Sequence, residues 1–154
     1  MNGTLDPTDI KILNLLQQDA RLEIRQIAGL VHKSASPVHQ RIRKLQEQGF
    51  IKGYVAVLDR VKIGMPLLAI VQVRLSTHTS EALQAFEKQA ARLNEVQLCL
   101  HLSGVNDFIL HVAVRHTLAY HDFLMQHICN QPNVAGVQTC FVLKECKNHG
   151  PYVL

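Results

Sequence analysis

The stretch Ser34-Ala35-Ser36-Pro37-Val38-His39-Gln40-Arg41-Ile42-Arg43-Lys44-Leu45-Gln46-Glu47-Gln48-Gly49 decides how this chain is read. Ala35, Val38, Ile42 and Leu45 recur at the spacing of a helix with one buried side. The opposite side carries Ser36, His39, Gln40, Arg43, Lys44 and Glu47. Ser34 stands at the cap position, Pro37 falls in the first turn, and Gly49 supplies a stop. A helix that is apolar on one side and dressed with cations and amides on the other suits the major groove of a duplex. The same pattern also describes the solvated face of a plain three-helix bundle.

Two shorter helices precede it. Asp6-Pro7-Thr8-Asp9 is a start signal, with a capping acid, a proline at the first helical position and a second acid in the first turn. Ile10, Leu13 and Leu16 follow, flanked by Ile12 and Leu15, and the pattern breaks near Asp19-Ala20-Arg21. A second helix over about 23–31 offers Ile24, Ile27, Ala28 and Val31, and a tight break follows at His32-Lys33. Three helices with a tight second turn form the helix-turn-helix pattern. Its candidate DNA-binding set is Lys33, Ser34, Ser36, His39, Gln40, Arg43 and Lys44. Arg43 and Lys44 suit phosphates or guanine edges, Gln40 suits adenine, and Ser34 and Ser36 sit where a helix N-terminus favours phosphate. Charge agrees: residues 33–52 hold five bases against Glu47 alone, an electrostatic footprint for phosphate. From Phe50 to Leu58 the chain reads as extended, with Ile51, Val55 and Val57 alternating.

Beyond this the period changes. Residues 1–59 form the helix-turn-helix domain, 60–66 a linker broken by Gly64 and Pro66, and 67–154 a second domain. Leu67 to Leu75 alternates as a strand, and Ser80 to Leu93 is helical through Leu83, Phe86, Ala90 and Leu93. Val96, Leu98, Leu100 and Leu102 alternate against Gln97, Cys99 and His101. Ser103 to Asp107 is a turn, Leu110, Val112 and Val114 alternate again, Thr117 to Cys129 is helical, and Val137 to Cys146 is a last strand. The order βαββαβ is ferredoxin-like, so the fold class is α+β. A hairpin pairing residue 102 with 108 sets Cys99 opposite His111 and brings Cys99, His101 and His111 to one face. Such a set suits Zn or Cu, but a face packed on a partner sheet is the favoured explanation, and no metal or other cofactor is assigned.

Composition narrows the class. The 154 residues are 47% hydrophobic and 18% charged, which is globular and not disordered. No apolar run approaches the roughly 20 residues of a membrane span. The opening residues are neither basic nor followed by an apolar run, so no signal peptide and no membrane partner are expected. The four cysteines contain no Cys-x-x-Cys, which disfavours a disulfide scaffold or zinc module and fits a reduced cytoplasm. No nucleophile–base pair, phosphate loop or carboxylate pair stands out, so the chain is not read as an enzyme.

The ordered motifs resemble the Lrp/AsnC family of prokaryotic transcription regulators. The carrying residues are Leu5-Asp6-x-x-Asp9-x-x-Ile12-Leu13-x-x-Leu16-x-x-Asp19-Ala20-Arg21, Ile27-Ala28, and Ser34-x-Ser36-Pro37-Val38-x-x-Arg41-Ile42-x-x-Leu45. Gly49-Phe50-Ile51-x-Gly53-Tyr54, Gly104-x-x-Asp107 and Thr139-x-x-Val142-Leu143-x-x-x-Lys147 complete them. The resemblance implies a winged-type helix-turn-helix that binds double-stranded DNA. It implies a second domain that pairs subunits into dimers, often assembled into octamers, and that takes an amino acid as effector. By that analogy the effector site comprises Ser103, Gly104, Val105, Asn106, Asp107, Val137 and Thr139. Backbone N–H groups of the turn would meet a carboxylate, and Asp107 an α-ammonium group. Asn106 stands where an aromatic is common in the family, and Val137 where a hydroxyl residue is. An architectural DNA-binding protein without an effector is the alternative.

Overall fold

A computed structural model of the chain describes residues 4–148 and 150–154. They fall into two compact units. One runs through Val57 and includes Cys146–Leu154, and the other is Leu58–Glu145. The closing residues 146–154 thus group with the first unit, although the sequence pattern assigns them to the second domain. The physical reason is a pair of hydrogen bonds between the Gln17 side chain and the Tyr152 main chain.

The first unit holds three helices, α1 (Pro7–Gln18), α2 (Ile24–Leu30) and α3 (Ala35–Glu47). Asp6 caps α1 by accepting from the N–H groups of Thr8 and Asp9, both at 2.8 Å, and Asp9 reaches back to the Asp6 N–H. Both carboxylates are also gripped by Arg41 of α3, at 2.5 and 2.7 Å. One guanidinium therefore pins α3 to the start of α1. Ile12, Leu13, Ile27, Ala28, Val31, Val38 and Leu45 form the core, and Ala35 and Ile42 pack against it, as the helical spacing requires. The tight turn between α2 and α3 runs through His32 at φ 54°, a left-handed position. His32 N–H bonds to Gly29 O and Lys33 N–H to Ala28 O, the helix-closing pattern that usually carries glycine. Gly49, at φ 78°, ends α3. Residues 52–58, expected as an extended segment, join no helix and no strand ladder among the described residues.

The second unit begins with a helical turn at 59–64, capped by the Asp59 side chain. It continues through β1 (Leu67–Leu75), α4 (Ser80–Ala90), β2 (Val96–His101), β3 (Phe108–Val114), α5 (Thr117–Phe123) and β4 (Val134–Phe141). The last turn of the helical stretch, Leu124–Cys129, widens to π geometry. β4 starts three residues earlier than its alternation suggests and ends five earlier. The strands pair antiparallel in the order β2-β3-β1-β4, which is the ferredoxin-like arrangement. One sheet face buries Ala69, Val71, Val73, Phe108, Leu110 and Val112 under Phe86, Ala90, Tyr120, Phe123 and Ile128.

The hairpin register differs by one residue from the expected one. Cys99 lies opposite Leu110 and His101 opposite Phe108, while His111 faces Leu98. The Leu102 N–H bonds Asp107 O at 2.8 Å, which carries the same register one step past the last ladder pair, 101 with 108. Direct partners share a face. Cys99 and His101 therefore lie on the helix-covered side, where His101 stacks on Phe108, and His111 lies on the other. A Cys99–His101–His111 cluster does not form. An irregularity between Val96 and Leu98 also turns Leu98 and Leu100 to the uncovered face, where they are 40% and 43% exposed.

Candidate nucleic-acid interface and effector region

On α3 the division of labour is complete. Val38 and Leu45 are buried, whereas Ser36, His39, Gln40, Arg43 and Lys44 are exposed, and so are Lys33 and Ser34 just before the helix. The structure thus places all seven expected residues at the solvent-facing side or the start of one helix. The Ser34 hydroxyl makes no capping bond. Arg43 meets Glu47 at 2.8 Å, one helical turn on, with both side chains well exposed. Such a pair contributes only about 0.3–0.5 kcal/mol, whereas a bidentate contact to guanine discriminates by about 1–3 kcal/mol. The Glu47 pair is therefore too weak to commit Arg43 to a partner within the fold. Arg41 is different. It belongs by sequence to the basic stretch 33–52, but its guanidinium is engaged by Asp6 and Asp9. The backbone N–H of Asp9 and then this guanidinium hold the Asp6 carboxyl below its ordinary range.

The second group of expected residues gathers around the C-terminal end of β1. Val73 pairs with Phe108 on one side and with Val137 on the other, so the turn 103–107 and the start of β4 flank the same strand end. Ser103, Gly104 and Val105 are exposed. Gly104 does not need a left-handed backbone, and a Cβ there would meet nothing within 4 Å. Asn106 is turned inward and donates to Gln72 Oε1 at 2.6 Å.

Asp107 is the buried member, 8% exposed. One carboxylate oxygen accepts from Leu75 N–H at 2.7 Å, and the other meets His78 Nε2 at 3.0 Å. Its main chain bonds Val73 O and Leu102 N–H. The bonds to Leu75 and Val73 tie the turn to the end of β1, and the Leu102 bond closes the turn across the hairpin. Val137 packs against the core from β4. Thr139, paired with Val71, shares a hydrogen bond of 2.5 Å with the phenol of Tyr120. Burial pushes the Tyr120 hydroxyl up from its ordinary pKa.

Three residues here escaped the sequence reading: Gln72, His78 and Tyr120. For Tyr120 a signal existed, because a phenol on an apolar helical stripe needs a polar partner for its tip. Gln72 and His78 carry no local signal.

Comparison with known proteins matches both units. The family model described as "Lrp/AsnC ligand binding domain" covers residues 68–152, and one described as "Winged helix-turn-helix DNA-binding" covers 5–52. The HTH-type transcriptional regulator AldR of Mycobacterium tuberculosis is 34% identical over 147 residues, spanning 96% of this chain and 82% of that protein. The Bkd operon transcriptional regulator of Pseudomonas aeruginosa is 36% identical over 140 residues, spanning 91% and 92%. A transcriptional regulator of Neisseria meningitidis, solved as a complex with L-Met, superimposes with a TM-score of 0.88 at 31% identity, covering 94% of each chain. Among the described residues no helix is long and apolar enough to cross a membrane.

Proposed function

This chain belongs to the Lrp/AsnC family of transcription regulators, and from that premise we propose that α3 reads operator DNA through Ser36, His39, Gln40, Arg43 and Lys44, with Lys33 and Ser34 on the flanking phosphate. The observation that carries this is the exposed polar face of α3, set directly opposite its buried Val38 and Leu45. Two copies related by a twofold axis present two such helices to successive major grooves about 34 Å apart, so the site is palindromic. The dimer, its assembly toward an octamer and a cytoplasmic location belong to the same reading.

Arg43→Ala tests it. Affinity for a duplex that the protein selects from random sequence is expected to fall by about 1–3 kcal/mol, with specificity relaxed at one base pair. Unchanged affinity removes Arg43 from the recognition face.

The second unit takes a small effector, and we assign an amino acid on the strength of the relative that holds L-Met. The exposed turn Ser103-Gly104-Val105, with open space at Gly104, supplies the approach. Asn106, Asp107, Val137 and Thr139 set its walls. Thermal unfolding against each of the twenty amino acids at millimolar concentration tests this, since a ligand at about 100 times its Kd adds roughly 2.7 kcal/mol. One observation favours the architectural alternative. Both Asp107 oxygens are already engaged within the fold, and a screen with no shift would support that reading.

A further inference from the structure

We propose that the C-terminal residues form a strap that seats on the helix-turn-helix unit, with Gln17 as its clasp. Gln17 lies at the C-terminal end of α1. Its side-chain oxygen accepts from the Tyr152 N–H at 2.7 Å, and its Nε2 donates to the Tyr152 carbonyl at 3.3 Å. A side-chain amide that makes both bonds to one residue's main chain offers the donor and acceptor that a neighbouring strand would offer. The clasp holds backbone and not the phenol ring, because Tyr152 is 82% exposed. The tail then alternates as an extended segment does. Val153 points fully to solvent, and Leu154 turns in at a groove of about 490 Å³. Leu5, Leu13, Leu16, Ala20, Phe50 and Tyr54 line that groove. Leu5, α1, residues 50–55 and the tail's own Tyr152 and Leu154 all border it, so the strap forms one wall of the groove beside residues 50–55.

The root of the strap is also fixed. Glu145, the last residue of the second unit, accepts from Arg60 Nε at 2.9 Å. Only the six residues 146–151 separate it from the clasp. The strap therefore leaves the second unit soon after β4, the strand that carries Val137 and Thr139, and ends against α1. It is a second connection from β4 to α1, covalent at its root and hydrogen-bonded at the clasp, in addition to the linker that follows Val57. This assignment stands on the tail's own contacts and does not depend on which DNA or effector the chain takes.

Hydrogen exchange of the full chain, read by mass spectrometry, tests it. Four proteins are compared: wild type, Gln17→Ala, a chain ending at Pro151, and the two changes combined. Gln17 is exposed, so its replacement leaves the core intact. In the wild type the C-terminal peptide is expected to exchange about ten-fold more slowly than an unstructured reference. Gln17→Ala and the truncation should each speed exchange in 50–55 by a similar factor, the combination should add nothing further, and β1 and β3 should not change. Reference-rate exchange of the wild-type tail overturns the proposal, and so do effects that multiply in the combined variant. Recovery of protection on mixing Gln17→Ala chains with truncated chains overturns it as well, since the tail would then seat on a second copy.

Discussion

Asp107→Ala is expected to destabilise the second unit by about 2–3 kcal/mol, and the magnitude follows from what the carboxylate holds. Leu75 is buried at 2% exposure, and its N–H gives its proton to Asp107 at 2.7 Å. Removing the acceptor strands a dry amide, which costs about 1–3 kcal/mol. The His78 contact adds less, at most about 1 kcal/mol, because that imidazole is more than half exposed and its interaction is screened. The main-chain bonds of Asp107 to Val73 and Leu102 survive the substitution, so the turn is loosened and not abolished. Asp107→Asn keeps an acceptor for Leu75 and is expected to stay within about 1 kcal/mol of wild type. The assay is thermal unfolding at one fixed protein concentration, since association raises the midpoint. For a unit of about 90 residues, a loss of 2 kcal/mol lowers the midpoint by roughly 8–16 °C. A change below about 0.5 kcal/mol for Asp107→Ala would refute the assignment of Asp107 as a turn anchor. Equal damage from Asn and Ala would show that the charge, and not the acceptor, is what the turn needs. The Asn variant is also the informative one for an effector, because it removes the negative charge offered to an ammonium group while keeping the turn.

Three further outcomes are expected. His32→Gly relieves a left-handed backbone position and should stabilise the first unit by about 0.5–1 kcal/mol in urea unfolding; a loss of stability would mean that the imidazole makes a contribution larger than the strain. The Asp6 carboxyl is held below its ordinary range by the Asp9 N–H and then by Arg41, so its contribution is present above the unfolded value near 4 and is lost as pH falls through the lower folded value. Unfolding midpoints of the first unit should therefore drop steeply below about pH 4, and Asp6→Asn should flatten that drop; an identical slope in the variant counts against the clamp. Burial, and then the neighbouring Glu87 charge, raise the Cys99 thiol, so alkylation at pH 8 should label the exposed Cys129 and Cys146 well before Cys99.

What was legible in the sequence is what local chemistry determines. The Asp6 cap, the Gly49 stop and the inward spacing of Ala35, Val38, Ile42 and Leu45 each depend on residues within a turn or two, and each is present in the structure. The β2–β3 register was not legible. Strict alternation from Val96 to Leu102 points the leucines at the core, but the irregularity after Val96 and the Leu102–Asp107 bond shift the pairing by one residue. With a side-chain period of two, one residue of slip exchanges the faces. Cys99 and His101 then go inward, and Leu98 and Leu100 go outward. The early start of β4 has a similar cause. The Asn133 side chain accepts from Ser76 and Thr77 and donates to the Thr77 carbonyl, so Asn133 is a joint that leads straight into the strand.

The two functional regions differ for the same reason. The proposed DNA-facing set lies on one helix or just before it, so a single period sorts Arg43 from Leu45, and exposure follows. Only Arg41 breaks the sorting, because its position on α3 says nothing of the two carboxylates on α1 that neutralise it. The proposed effector side is assembled from β1, the 103–107 turn, β4 and α5, so its residue types were visible while their commitments were not. Asn106 is held by Gln72, Asp107 by Leu75 and His78, and Thr139 by Tyr120. Every polar side chain of the expected wall, Ser103 apart, thus already has an internal partner. A ligand entering there must exchange those bonds and not simply add to them, and its net affinity is the difference between the two sets. The open ground at Ser103-Gly104-Val105 has no such debt, so initial binding should fall on that backbone, with Asp107 and Thr139 following only when the ligand's own groups replace His78 and Tyr120.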